Sequence, residues 1–297
     1  MRRLLLPALT LLCLLALGET AHAQWPALYF RADPLLRLDL SRRSAGTSFA
    51  LSTYRYEAGA YFDGRDKTPH SSVSEFPMIA YEREEFVFSG VFGLSKDVAA
   101  VIAAPVSHAS QRYHETGEWG IERLWLGGLW AVDRARHFSL LGWMAVDWDG
   151  PTGNLLYAVG DDNGSSLAGL QFVLASGDRS QGPEFYLRGG AAVHLRKDRW
   201  FNRRLYEFPG EFRFLMPVTH RLALGGGIDG HFVVGHQESL PFIGRYTSHD
   251  AFAIGPDLSL RLTPEIRLHA VFRDEIIGYY ASAGVYWNVA LAITPFR

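Results

Sequence analysis

Arg221-Leu222-Ala223-Leu224-Gly225-Gly226-Gly227-Ile228-Asp229-Gly230-His231-Phe232-Val233-Val234-Gly235 is the stretch whose reading decides the fold. Leu222, Leu224, Ile228, Phe232 and Val234 share one parity, and Arg221, Asp229 and His231 share the other. Successive side chains of a strand point to opposite sides, so this spacing predicts a strand with one apolar and one polar face. The segment exceeds the globular norm of about 5–6 residues. It suits a tilted strand that crosses a bilayer.

The same pattern continues on both sides. Tyr206, Phe208, Phe212, Phe214 and Met216 alternate with Glu207, Glu211 and Arg213. Phe252, Ile254, Leu258, Leu260 and Leu262 oppose Asp257, Ser259 and Arg261. Ile266, Leu268, Ala270 and Phe272 oppose Arg267, His269, Arg273 and Glu275. Alternation alone fits a soluble sandwich, whose polar face meets bulk water. It equally fits a membrane barrel, whose apolar face meets lipid and whose polar face lines the lumen.

Strand length and connection length favour the barrel. Tight turns are expected at Leu94–Lys96, Asp133–Arg136, Gly177–Gln181, Val218–His220 and Thr263–Pro264. Longer loops are expected at Gly64–Ser72, Tyr113–Trp119, Gly150–Ser165, Lys197–Arg203 and Gln237–Ser248, with one short connection near Gly278-Tyr279. Short periplasmic turns alternating with long external loops are the mark of an outer-membrane barrel, here of roughly twelve antiparallel strands.

The first residues set the compartment. Arg2 and Arg3 precede an apolar stretch from Leu4 to Leu17, and Ala21-His22-Ala23 supplies small residues at −3 and −1. Met1–Ala23 therefore reads as a signal peptide cut after Ala23. Residues 24–46, with Pro26 and Pro34, read as a periplasmic lead-in, and 47–297 as the barrel. No later run reaches the roughly 20 apolar residues of a spanning helix. The single cysteine, Cys13, lies in the signal core, so the mature chain has neither disulfides nor a cysteine metal motif. A formal net charge of −2 gives no reason to expect a nucleic-acid partner. From Val285 through Trp287, Val289, Leu291 and Ile293 one parity is apolar. Such a closing strand is a signal to the barrel-assembly machinery, here modified by Pro295 and by Arg297 after Phe296.

Several segments carry a resemblance. They are Tyr54-Arg55-Tyr56 with Ala60-Tyr61-Phe62-Asp63-Gly64, the Gly93-Leu94-Ser95-Lys96-Asp97 turn, Ala104-Pro105-Val106, and Gly120-Ile121-Glu122-Arg123-Leu124-Trp125-Leu126-Gly127. The N-terminal half of the barrel resembles the outer-membrane proteins grouped with the "meta-pathway of phenol degradation" transporter-like barrels. The usual Glu-Tyr-Gly before that turn reads Val91-Phe92-Gly93, and the usual lumen carboxylates are Arg123 and Trp125. The resemblance implies an outer-membrane location and passage of small, hydrophobic molecules. It supplies no residue-level site.

The candidate site is the polar face: Glu207, Glu211, Arg213, Asp229, His231, Asp257, Arg261, Arg267, His269, Arg273 and Glu275, from four successive strands. Two readings stay open. A charge ladder would select solutes in a pore, whereas opposite charges pairing across strands would fill a narrow barrel. His108-Ala109-Ser110 resembles the His-x-Ser of outer-membrane phospholipase A, a lipid hydrolase. That family follows its serine with Asn-Gly, where this chain has Gln111-Arg112, and no orienting asparagine stands on the next strand. A serine needs a base and the base a partner, so catalysis is not expected. The remaining alternative is a closed barrel with a structural or surface-interaction role.

Lys197, Arg199, Arg203 and Arg204, interleaved with Trp200 and Phe201, suit lipopolysaccharide phosphates or an ordinary solvated loop. Trp130, Trp148, Tyr279, Tyr280 and Trp287 read as interface aromatics or as core. His114-Glu115, His231, His236 and His249 lack ligand spacing, and Asp161-Asp162-Asn163-Gly164 lacks a distal Glu. No metal or cofactor is expected. The expected partners are outer-membrane lipid, lipopolysaccharide, the assembly machinery and a small-molecule solute.

Overall fold

The computed structural model describes residues 47–63, 66–69, 81–95, 97–111, 119–121, 123–132, 138–147, 167–176, 182–195, 206–234, 249–279 and 282–294. The signal peptide, the lead-in, the cation cluster Lys197, Arg199, Arg203 and Arg204, and the Asp161–Gly164 segment lie outside them.

Each alternating segment folds as a strand. In chain order these are β1 (Thr47–Asp63), β2 (Asp66–Pro69), β3 (Tyr81–Gly93), β4 (Val98–Gln111), β5 (Gly120–Ile121), β6 (Arg123–Ala131) and β7 (Phe138–Asp147). They continue with β8 (Leu167–Ser176), β9 (Glu184–His194), β10 (Tyr206–Pro217), β11 (Leu222–Val234), β12 (His249–Arg261), β13 (Ile266–Tyr279) and β14 (Ser282–Ile293). Every pairing is antiparallel between neighbours, and β14 pairs back onto β1 from Phe49–Ile293 to Tyr61–Ser282. The sheet is a closed barrel of twelve strands, β5 continuing the line of β6 and β2 hooking back on the end of β1. With β14 paired back onto β1, the sheet has no first or last strand among the described residues.

Two expected connections differ. The segment expected as the loop Gly64–Ser72 contains β2, because Asp63 and Asp66 pair and fold the chain back as a hairpin. Gly278-Tyr279, expected as a connection, ends β13, where Gly278 still pairs with Ala251. The tight ends at 94–97, 218–221 and 262–265 are held by short bonds such as Leu94 N–H to Val98 O (2.9 Å) and Val218 N–H to Leu222 O (2.8 Å). Thr219 and Thr263 hydroxyls accept backbone N–H groups inside the last two turns.

The outer face is apolar and exposed. Phe212, Ile228 and Ile254 lie side by side in register on β10, β11 and β12 at mid-strand, each more than 40 % exposed. In the isolated molecule that surface has no protein to cover it, and it is the band a bilayer would cover. The inner face is buried.

Candidate functional site

Inward-facing residues divide the interior into two unlike halves. On β9 to β13 the inner face is charged. Glu207, Glu211, Arg213, His231, Asp257, Arg267, His269, Arg273 and Glu275 are buried there, Asp229 is nearly so, and Arg261 sits half-buried at the end of β12. From β3 to β8 the inner face is largely apolar. Val87, Val91, Val101, Ala103, Trp125, Leu129, Leu141, Trp143, Ala145 and Val173 belong to one buried cluster.

The charged half is a network. Arg273 makes a two-pronged contact with Asp257, Nη1 to Oδ1 at 2.6 Å and Nη2 to Oδ2 at 3.1 Å, while its Nε donates to Asp229 Oδ2 at 3.1 Å. Its Nη1 also reaches the carbonyls of Gly255 (3.0 Å) and Phe272 (2.8 Å). Arg213 donates to Asp257 Oδ2 at 3.1 Å, pairs with Glu211, and lies 3.8 Å from Asp229. Arg188, directly opposite Glu211 on β9, pairs with it at 2.6 Å. Three arginines (Arg188, Arg213, Arg273) thus interlock with three carboxylates (Glu211, Asp229, Asp257), and the formal charge of the set is zero. Burying a single charge is costly; burying opposite charges in good geometry offsets much of that cost.

Local sequence makes room for it. A Cβ on Gly227 would stand 2.4 Å from Arg273 Nη2 and 2.6 Å from the Phe212 carbonyl. The bare backbone of β11 is a slot in which the guanidinium lies flat against the wall. Within the glycine run Gly225–Gly227, Gly227 thus has a specific occupant, the Arg273 guanidinium.

The network is tied to the closing seam. Tyr286 on β14 donates to Asp229 and packs against Tyr54 of β1, ring centroids 5.5 Å apart. Tyr56 of β1 donates to Glu275 Oε2 at 2.9 Å, and the Gly284 N–H donates to the same oxygen at 2.8 Å. Lys67 of β2 reaches the Glu275 carbonyl (2.9 Å) and Asp274 (3.3 Å). Secondary pairs flank the network: Arg267 with Glu184 at 3.3 Å, and His231 with Glu207 at 3.5 Å.

Tyr54, Tyr56, Tyr286, Arg188 and the apolar wall escaped sequence reasoning. Tyr54 and Tyr56 share a parity within a quoted motif, but their partners are on β13 and β14, far away in the chain. The apolar wall is masked because β7 is apolar on both faces: Leu140 and Met144 outward, Leu141 and Trp143 inward.

On the outer face, His108 lies opposite Glu84 in the β3–β4 register and stacks on Trp119 at 5.2 Å. Ser110 is opposite Glu82. A carboxylate therefore stands beside the histidine on the preceding strand. Arg55 engages that same Glu84 at 3.4 Å, together with Glu57 (2.7 Å) and Glu82 (3.6 Å). Because Glu84 is held by Arg55 and the His108 ring lies on an indole, purified protein is expected to release no fatty acid from phospholipid, with or without Ca²⁺. Release that disappears in Ser110→Ala would establish a hydrolase instead. Trp130 and Trp287 point outward, Trp130 near the tight-turn end and Trp287 at mid-strand opposite Phe272.

Among the described residues no group of His, Cys, Asp and Glu is placed to hold a metal ion. No protein-family model matches the chain. No curated protein matches it either. Solved structures do. An outer membrane channel from Pseudomonas putida F1 superposes with a TM-score of 0.63 at 10 % identity, over 87 % of this chain and 98 % of that one. The translocator domain of the autotransporter NalP from Neisseria meningitidis gives 0.50 at 9 % identity, over 86 % and 91 %. At such identities the likeness is one of fold: a closed antiparallel barrel of the outer-membrane type.

Proposed function

We propose that the chain spans the outer membrane and passes small molecules in a transporter-like manner. The observation that carries this reading is the two-sided wall: an apolar outer face backed by an inner face on which the charges of β9 to β13 neutralise one another. The inner residues Glu207 and Arg273 are 0 % exposed, and Trp143 and Gln171 are 1 %. A wide water-filled pore would leave such side chains wet, so passage is narrow and in contact with the wall. The resemblance of the N-terminal half to transporter-like barrels agrees. With this reading go cleavage after Ala23, insertion by the assembly machinery, and contact of Lys197, Arg199, Arg203 and Arg204 with lipopolysaccharide.

The protein is expected to fractionate with the outer membrane and to show heat-modifiable gel mobility. In planar bilayers its steady ion conductance should be small, while proteoliposomes should swell in uncharged solutes. Recovery as a soluble periplasmic monomer would sink the membrane reading. Proteoliposomes that neither conduct nor swell would leave a closed structural barrel.

A further inference from the structure

The wall parts beside its closing seam. The ladder between β13 and β14 stops at Asp274–Val285, although β13 runs on to Tyr279 and β14 begins at Ser282. Beyond that pair β14 is held by β1, up to Tyr61–Ser282, and β13 by β12, up to Asp250–Tyr279. A bulge in β13 marks the parting. Ile277 pairs with Phe252 and Glu275 with Ala253, so Ile276 is the extra residue, and Ile276 and Ile277 are both about half exposed. Bulges end pairing and bend a strand aside.

Side chains stand in for the missing ladder. The Glu275 carboxylate, 3 % exposed, accepts the Gly284 N–H of β14 and the Tyr56 hydroxyl of β1. The Tyr56 ring lies over Gly284, where a Cβ would stand 2.8 Å from it. Outside this buried joint lies Lys67. The chain turns back after β1, so that Lys67 on β2 stands opposite Phe62, one residue past the last β1–β14 pair. From there its ammonium passes the start of β14 and reaches β13, donating to the Glu275 carbonyl at 2.9 Å and to Asp274 Oδ1 at 3.3 Å. The lysine thus joins two strands that do not pair, across the strand between them.

We propose that β2 is a strap, laid over the parted end of β13 and β14 after the barrel has closed and fastened there by Lys67, so that the wall reopens slowly. The acceptors of Lys67 are about 207 positions away in the chain. They come within its reach once β1 and β14 have paired, so the strap is fastened after closure. A contact absent from the transition state leaves the folding rate alone and slows unfolding. The rate of unfolding, in turn, sets the lifetime of a protein that does not readily refold. The inference concerns the wall and is independent of what passes through the lumen.

The two bonds of Lys67 are unequal. The pair with Asp274 is open to solvent, both side chains being more than 40 % exposed, and exposed pairs contribute little. The bond to the Glu275 carbonyl is partly buried and has a charged donor, the stronger kind. Lys67→Met keeps the stem and removes both bonds. Asp274→Asn keeps the carbonyl bond.

The test follows two rates in detergent: appearance of the folded gel form from urea, and its conversion to the unfolded form in SDS at one elevated temperature. Lys67→Met should convert about tenfold faster and fold at the rate of the unaltered protein. Asp274→Asn should convert no more than about threefold faster. Unchanged conversion of Lys67→Met, folding slowed as much as conversion is hastened, or failure to fold would overturn the strap, because it is fastened after closure. A second variant restores the fastening covalently. Lys67→Cys with Asp274→Cys, in a chain carrying Cys13→Ser to remove its single native cysteine, is bridged after folding with bismaleimidoethane. The bridged protein should convert more slowly than the same variant unbridged. Equal rates, or thiols that cannot be bridged in the folded protein, would overturn the proposal.

Discussion

Arg273→Met is expected to destabilise the barrel by about 3–5 kcal/mol, the range for removing one partner of a buried charge set. Asp257, itself buried, would lose the two-pronged contact at 2.6 and 3.1 Å, and Asp229 would lose its 3.1 Å bond. Arg213 alone would then face Asp257 and Asp229 as well as Glu211. The measurement is reversible unfolding in urea from detergent or lipid. Replacing Arg273 and Asp257 together, by Met and Leu, should cost clearly less than the two single changes summed, because the pair is removed as a unit. Additive costs would mean that the contact is not energetically real. For the same reason, swapping arginines for glutamates on this wall should lower stability before it alters ion selectivity.

Ile228→Arg should be nearly as severe, at about 2–4 kcal/mol, because it sets a charge on the mid-strand outer face between Phe212 and Ile254. Leu224→Arg should cost less, since Leu224 stands near the tight-turn end of β11, where the penalty falls toward about 0–1 kcal/mol. Refolding into bilayers would read this gradient. Equal tolerance at both positions would mean that this face does not meet hydrocarbon. Asp229→Asn should also destabilise the barrel, because Asp229 accepts from both Arg273 and Tyr286.

Which features were legible in the sequence follows from their range. Alternation is a local property, so Tyr206 to Met216 and Leu222 to Val234 declare their faces without any knowledge of neighbours. The closed twelve-strand antiparallel barrel follows from such strands and the spacing of their turns. Pairing partners are a property of register. Nothing in the order of residues says that Arg188 meets Glu211, or that Tyr56 meets Glu275. The sequence reading looks for an orienting asparagine on the following strand; what stands beside His108 is a carboxylate on the preceding one, Glu84. The apolar inner wall stayed hidden because Leu141 and Trp143 sit in a strand whose other face is apolar too, so period-two reading loses its contrast. The hook of β2 is only four residues long and leaves no periodic trace.

The hydrogen bond from Tyr56 to Glu275 joins residues 219 positions apart in the chain. It forms only when the first and last strands of the wall meet. Contacts of such sequence separation are slow to reach, since the entropy of closing the intervening chain is lost before they form. The seam between β1 and β14 is therefore expected to close last. A tyrosine-to-tryptophan probe at position 56 would clock that event, lagging behind reporters placed in the β10–β11 hairpin.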